Sequence, residues 1–351
     1  MVVKSNEDGV LTGVPTSKRG LRISHIFFVD DSLLFCKASM VEWHSLTEVL
    51  RRYELASGQH LNTNKTSIYF SSNTLTESKV AILEEAGIPA TQRYDTYLGL
   101  PALVGKSRTA AFRGIIDRVR KRLQDWKLKF LSQAGKEILL KAVIHAIPTY
   151  CMSIFLLPKA LCVEINTYIR KFWWGQYGKE DGINWMSWSR MGNSKSSGGM
   201  GFCNFTCFNK AILAKQSCRL WNNPDSLVAQ VMKGKYYSDT SVLEAIVGRR
   251  PSFAWHSIHS SCALLQEGSM WRVGNGSTIR IWKDLWLPIN STGRMSSPPA
   301  ILHPNATVSE LLDGESKWWN YQLLASIFAP EVVQLILKIP SSCTNQPDTL
   351  I

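Results

Sequence analysis

The chain has 351 residues, 45% of them hydrophobic and 19% charged, which is room for about two domains and enough apolar material for a core. With Gly 23 and Pro 14, the composition excludes a disordered tail, a collagenous repeat and a low-complexity linker. The formal net charge of +13 is uneven: residues 1–100 carry −1, residues 101–180 carry +10 and residues 181–351 carry +4.

Taken along the chain, residues 23–36 read Ile-Ser-His-Ile-Phe-Phe, Val-Asp-Asp, Ser-Leu-Leu-Phe-Cys. Two β-prone runs around a tight acidic turn predict a hairpin with one buried face. Val41, Leu46, Val49, Leu50 and Tyr53 predict a helix over 41–56, ended by Gly58. A strand over 66–70 and a helix over 77–86 come next. From 107 to 126, Phe112, Ile115, Ile116, Val119, Leu123 and Trp126 form one apolar stripe, edged by Arg and Lys. Ser132 is an N-cap for a helix over 133–147, which Pro148 is expected to stop. Helices over 160–173, 208–222 and 225–236 complete the helical part, with a loop at 194–199. Gly274-Asn275-Gly276, between two β-prone runs, predicts a hairpin over 271–282.

Residues 142–158 contain no Asp, Glu, Lys or Arg, but two prolines and a histidine interrupt a run already short of the ~18–20 residues a membrane span needs. The segment reads as a buried helix end followed by an extended apolar stretch. The eight cysteines show no Cys-x-x-Cys pair, a usage that suits a reducing, intracellular compartment. The N-terminus has no apolar core of a signal peptide.

Concentrated positive charge in 101–180 suits polyanions, nucleic-acid phosphates first and anionic membrane surfaces second; a solvated basic face with no partner is the plainer reading. Asp30 and Asp31 are the sharpest chemical feature. Two adjacent carboxylates repel, and a divalent cation relieves that repulsion; Mg²⁺ takes one or two carboxylates plus substrate phosphates, and a pair of such ions drives nucleotidyl transfer. Turns also simply favour Asp. The Trp cluster at 173, 174, 185 and 188 serves either a core or base stacking. His256-x-x-His259-x-x-Cys262, with Cys203 and Cys207 upstream, matches no standard zinc spacing.

Residues 23–37 resemble the catalytic hairpin of reverse transcriptases, an aromatic residue and a variable one followed by Asp-Asp. The chain beyond that hairpin resembles the non-LTR, long-interspersed-element type of retrotransposon enzyme in plants. The matching segments are Tyr53-Glu54-Leu55-Ala56-Ser57-Gly58-Gln59, Leu61-Asn62, Lys65-Thr66-Ser67, Tyr97-Leu98-Gly99-Leu100-Pro101, Leu131-Ser132-Gln133-Ala134-Gly135-Lys136, Phe172-Trp173-Trp174-Gly175, Gly198-Gly199-Met200-Gly201-Phe202 and Trp271-Arg272-Val273-Gly274-Asn275-Gly276. Their order and number carry the resemblance, which covers about residue 20 to the end.

The resemblance implies an RNA-directed DNA polymerase of α+β fold. A leader (1–19) would precede a partial palm (20–100), a basic helical thumb (101–180), a connecting region (181–290) and a linker toward an absent zinc-binding domain (291–351). It implies that Asp30 and Asp31 hold Mg²⁺ and that Lys65 protonates pyrophosphate. Gly58 would be the hinge before that lysine, or only a helix C-cap. Leu98 and Gly99 would support the primer end. Arg113, Arg118, Arg120, Lys121, Arg122, Lys127 and Lys129 would contact phosphates of an RNA template and DNA primer, with dNTP as substrate; the compartment implied is nuclear or cytoplasmic.

Relatives carry fingers and a third metal-binding Asp before the hairpin. Only 29 residues precede Asp30 here, and Asp8 sits in a polar stretch with no strand pattern. The chain alone is therefore expected to be inactive or weak. The alternative is a catalytically dead nucleic-acid-binding remnant using the basic 101–180 helices, and half a palm is expected to leave sheet edges uncovered.

Overall fold

A computed structural model describes residues 11–17, 21–91, 96–102, 104–105, 107–127, 131–175, 183–288, 301–314, 318–340 and 346–351. The fold is α+β, mostly helical, and divides into two units, Met1–Cys262 and Ala263–Ile351.

The first unit opens with short antiparallel pairs. β1 (Val14–Pro15) pairs with β2 (Arg22–Ile23), and β3 (His25–Phe28) with β4 (Asp31–Leu34). Residues 11–17, within the predicted leader, are tied to the rest of the unit: Leu11 is buried, and Thr12 Oγ1 donates to the Glu42 carboxylate at 2.6 Å. Helices α1 (Met40–Ser57) and α2 (Thr76–Ala86) come next. Ser39 caps the first, and Gly58 closes it at φ 71° with its N–H on the Glu54 carbonyl, the left-handed cap that glycine supplies without a Cβ clash. The predicted strand over 66–70 is absent; Ile68 makes a single parallel bridge to Ala90, because Thr-Ser-Ile-Tyr-Phe has β propensity but no neighbouring strand. β5 (Thr96–Tyr97) and β6 (Leu100–Pro101) form another short pair.

The helical core begins at α3 (Arg108–Ala111) and α4 (Arg113–Lys127), one predicted helix broken at Phe112. The apolar stripe Phe112, Ile115, Ile116, Val119 and Leu123 is buried, each aliphatic side chain contributing roughly 1.5–3 kcal/mol relative to exposure. It packs on α7 (Lys159–Trp174), whose Leu161, Ile165 and Ile169 face it in the same core.

Between them, Pro148 does not stop the helix. α5 (Gln133–Leu139) runs into a π turn at Leu140–Ile144 and resumes as α6 (Ala146–Met152). The His145 N–H reaches back five residues to the Leu140 carbonyl at 3.0 Å. That wide turn resets the register, so Pro148 lies in a first turn, where an N–H is not needed. Beyond Met152 the apolar run becomes extended, as the sequence indicated, with Phe155 and Leu157 buried. Ser187 caps α8 (Trp188–Met191). α9 (Phe205–Asn222), α10 (Leu227–Tyr236) and α11 (Phe253–His259) complete the unit, with Trp255 wholly buried in a smaller core. α12 (Cys262–Gly268) starts at the unit's last residue.

Asn209, on α9, is 1% exposed. Its Nδ2 donates to the Met152 carbonyl at 2.8 Å and the Phe155 carbonyl at 3.0 Å, while its Oδ1 accepts from the Leu157 N–H at 2.8 Å. One amide thus satisfies three backbone groups of a segment with no secondary-structure partner.

In the second unit the predicted 271–282 hairpin does not form. β7 (Trp271–Arg272) pairs instead with β8 (Thr349–Leu350). The Gly274-Asn275-Gly276 turn wraps the Asp348 carboxylate, which accepts from the N–H groups of Gly274 (2.7 Å), Gly276 (2.8 Å) and Thr278 (2.9 Å) and from the Thr278 hydroxyl. Burial raises the Asp348 pKa, but these four hydrogen bonds outweigh it and hold the carboxyl below its usual range. A Cβ on Gly274 would meet the Gln346 carbonyl oxygen at 2.4 Å, so the turn takes only glycine there. Residues placed by the sequence in a linker join the core: Val308, Leu311, Leu324 in α13 (Tyr321–Ile327) and Ile336 in α14 (Pro330–Leu337) bury against Ile279, Ile281 and Trp286.

Asn209→Ala removes both donors and the acceptor and leaves three buried backbone groups unpaired. The expected loss is about 3–5 kcal/mol of unfolding free energy, read as a lower urea midpoint at unchanged slope.

Candidate functional site

The acidic hairpin forms as the sequence indicated. Phe28 pairs with Asp31, leaving Val29 and Asp30 as a two-residue turn. Val29 takes φ 51°, a left-handed conformation that a β-branched residue adopts only under strain, and one that tight hairpin turns require. Asp30 and Asp31 are exposed at its tip. The expected burial is only partial: Ile26, Leu33 and Leu34 are half-buried, but toward the turn Phe27 and Phe28 are 53% and 57% exposed and Val29 87%, on a sheet of two strands.

Lys65 lies in an exposed turn, where its N–H donates to the Asn62 carbonyl at 3.0 Å. Leu98 (φ 51°) and Gly99 (φ 74°) form the β5–β6 turn, with Leu98 half-buried and Gly99 exposed. The two hairpins are separate sheets. Among the described residues, no hydrogen bond or ion pair joins Lys65 to Asp30 or Asp31, and no three His, Cys, Asp or Glu side chains converge on one point. Asp8 lies outside the described residues. Asp30 and Asp31 have the hard oxygens Mg²⁺ prefers, but the pair alone is too few donors for a closed site.

His256, His259 and Cys262 are used separately. His259 Nε2 meets the Ala245 carbonyl at 2.6 Å, and the Cys262 thiol lies 3.6 Å from the Ser217 hydroxyl. Trp173, Trp174 and Trp188 belong to the main core, where Trp188 stacks on Phe202 at 5.0 Å, whereas Trp185 is exposed.

The cations of α4 surround its buried stripe. At 100° per residue, Arg118 and Arg122 share one flank, Arg113 and Arg120 the other, and Lys121 lies opposite the core. All five are exposed. Arg113 pairs with Glu164 at 3.1 Å, and Arg118 Nε donates to the Gly114 carbonyl at 3.2 Å. Lys127 ends the helix, and Lys129 lies outside the described residues.

Two further lysines of the basic stretch are structural, which charge counting missed. Lys136 donates to the Gly175 carbonyl at 2.8 Å and, more loosely, to that of Trp173, satisfying the end of α7; burial lowers its pKa. Lys141 donates to the Met200 carbonyl at 2.6 Å and to Glu137 at 2.7 Å, and Lys195 also pairs with Glu137. Hydrogen bonds from both lysines hold that carboxyl below its usual range.

No family model matches the chain. The "Uncharacterized mitochondrial protein AtMg00310" of Arabidopsis thaliana is 37% identical over 143 residues, 40% of this chain and 93% of that protein. The chain belongs to the same family as that protein. The "Putative ribonuclease H protein At1g65750" of Arabidopsis thaliana is 30% identical over 193 residues, 54% of this chain. The match spans 31% of that relative's length.

His145 sits in the π-turn junction with an edge toward Phe202 and Phe205, its Nε2 buried with no hydrogen-bond partner among the described residues. Burial first, and the Lys141 charge second, push its pKa down from 6.5 to about 4. Between those values the unfolded chain binds more protons than the fold, so stability falls as pH falls. The unfolding midpoint is expected to drop between pH 6.5 and 4, and His145→Phe should remove that part of the pH dependence.

Proposed function

We propose that the chain is a retroelement-derived protein of the reverse-transcriptase lineage that binds nucleic acid through α4 and does not polymerise by itself. The observation that carries this reading is the cationic surface of α4, where Arg118, Arg120, Lys121 and Arg122 are exposed on a helix fixed by a fully buried stripe. Guanidinium and ammonium groups on a rigid element suit phosphate contacts, which position a nucleic acid without reading its sequence. The lineage is supported by the ordered segments from the acidic hairpin to Trp271-Arg272-Val273-Gly274 and by similarity to a relative named for ribonuclease H.

In this reading Asp30 and Asp31 are the remnant of a two-metal centre. Mg²⁺ would be held there only with added oxygens from a nucleotide or nucleic-acid phosphate, so no chemical step is assigned to the pair. Lys65, Leu98 and Gly99 keep the turns that would face a dNTP and a primer end. The ligand class is a template–primer duplex, with RNA as template and DNA as primer.

The test is primer extension on an RNA template with Mg²⁺, comparing wild type with Asp30→Ala, and filter binding in parallel. Binding without extension is expected. Joint reversal of Arg118, Arg120 and Arg122 to Glu should weaken binding at least about tenfold, while Asp30→Ala leaves it unchanged. Extension that Asp30→Ala abolishes would replace this reading with an active polymerase. Affinity indifferent to the three reversals would remove α4 as the interface.

A further inference from the structure

Three segments far apart in sequence, 107–109, 156–159 and 253–256, line an open cleft of about 430 Å³ in the first unit, within the ~300–1,000 Å³ usual for small-ligand sites. Its polar lining is cationic and hydroxylic: Arg108, Lys159, Ser107, Thr109 and the His256 imidazole, with no carboxylate.

Arg108 is held by an aromatic ring and not by an acid. Its guanidinium carbon lies 4.8 Å from the centroid of Phe253, a cation–π seat in which, among the described residues, no acceptor takes its N–H groups. Phe253 in turn stacks on Phe155 at 5.8 Å and packs beside Phe112 at 6.0 Å, so the seat is anchored in the core. Among the described residues, neither Arg108 nor Lys159 has a carboxylate within ion-pair distance. The wall at 156–158 is fixed by Asn209, whose Oδ1 takes the Leu157 N–H. Pro158 gives α7 no side-chain cap, which adds the positive end of a helix dipole to the same wall. His256 lies stacked on Phe253 at 6.4 Å, and its buried Nδ1 has no hydrogen-bond partner among the described residues.

We propose that this pocket binds a phosphate group, carried by a nucleotide or by the 5′ end of a nucleic acid. A planar guanidinium fork, an ammonium and two hydroxyls match an anion with several oxygens better than a single carboxylate. Phe253 is already engaged by Arg108, Phe155 and His256, so the site reads the phosphate and not a base. The proposal uses none of the residues assigned to the α4 interface.

The experiment is calorimetric titration of the full chain with inorganic phosphate, AMP, and one short oligonucleotide bearing either a 5′-phosphate or a 5′-hydroxyl. Phosphate should bind. Arg108→Gln and Lys159→Gln, both at exposed positions, should each weaken it about tenfold, the loss expected for one charge-assisted contact, with an unchanged melting temperature. Arg122→Gln should bind phosphate like wild type. Tighter binding of the 5′-phosphorylated strand than of its hydroxyl twin would identify a nucleic-acid end as the source; AMP equal to phosphate, with no difference between the strands, would identify a free nucleotide. No phosphate binding, or binding indifferent to both pocket substitutions, would overturn the proposal and leave the α4 reading standing.

Discussion

The first unit depends on the side-chain amide of Asn209. After Met152 the chain leaves its helix, and helix ends carry carbonyls without intrahelical partners. In a water-excluded core such groups are costly to leave unpaired. Asn209 takes the carbonyls of Met152 and Phe155 and the N–H of Leu157, so a stretch with no helix or strand of its own crosses the core in one conformation. That stretch leads directly into α7. The buried face of α7 seats the stripe of α4, and the seating of α4 turns its arginines outward. The same stretch walls the pocket around Arg108. Both the proposed interface and the proposed phosphate site therefore rest on one amide.

Positive charge in the middle of the chain serves two purposes. Lys136 and Lys141 are spent on carbonyls at the end of α7 and in the 194–200 loop, and Arg113 is tied to Glu164. The exposed charge left for a partner includes Arg118, Arg120, Lys121 and Arg122 on α4, Arg108 and Lys159 around the pocket, and Arg170 and Lys171 near the end of α7. The net charge of the segment overstates the interface by the lysines that pin the fold. The acidic hairpin differs: it keeps its turn, with Val29 in a strained conformation, yet Phe27 and Phe28 stay exposed. A two-stranded sheet cannot bury its own faces.

Periodic features were legible in the sequence. The stripe from Phe112 to Leu123 marked the right buried face because side chains three and four apart stack on one side of a helix; Ser132 and Gly58 marked ends by local chemistry alone. Features set by distant partners were hidden. Pro148 ends a helix in an α register but not after a π turn, and the π turn leaves no pattern in the residues. Gly274-Asn275-Gly276 reads as a hairpin until Asp348, about seventy residues on, fills it. Asn209 is one of several polar residues in its helix, with nothing in the sequence to mark it as the buried one, and the pocket draws on three segments that no spacing rule connects. The acidic tip was visible because its residues are adjacent.

The salt dependence of nucleic-acid binding tests the account most directly, because it counts the phosphates neutralised without assuming which residues do so. Affinity for an RNA–DNA duplex would be measured across a range of salt concentrations and log K plotted against log salt. The four exposed cations Arg118, Arg120, Lys121 and Arg122 predict a slope of about −3 to −4. A slope near zero would mean that no set of phosphates is neutralised, and would contradict the assignment of α4 as a nucleic-acid interface.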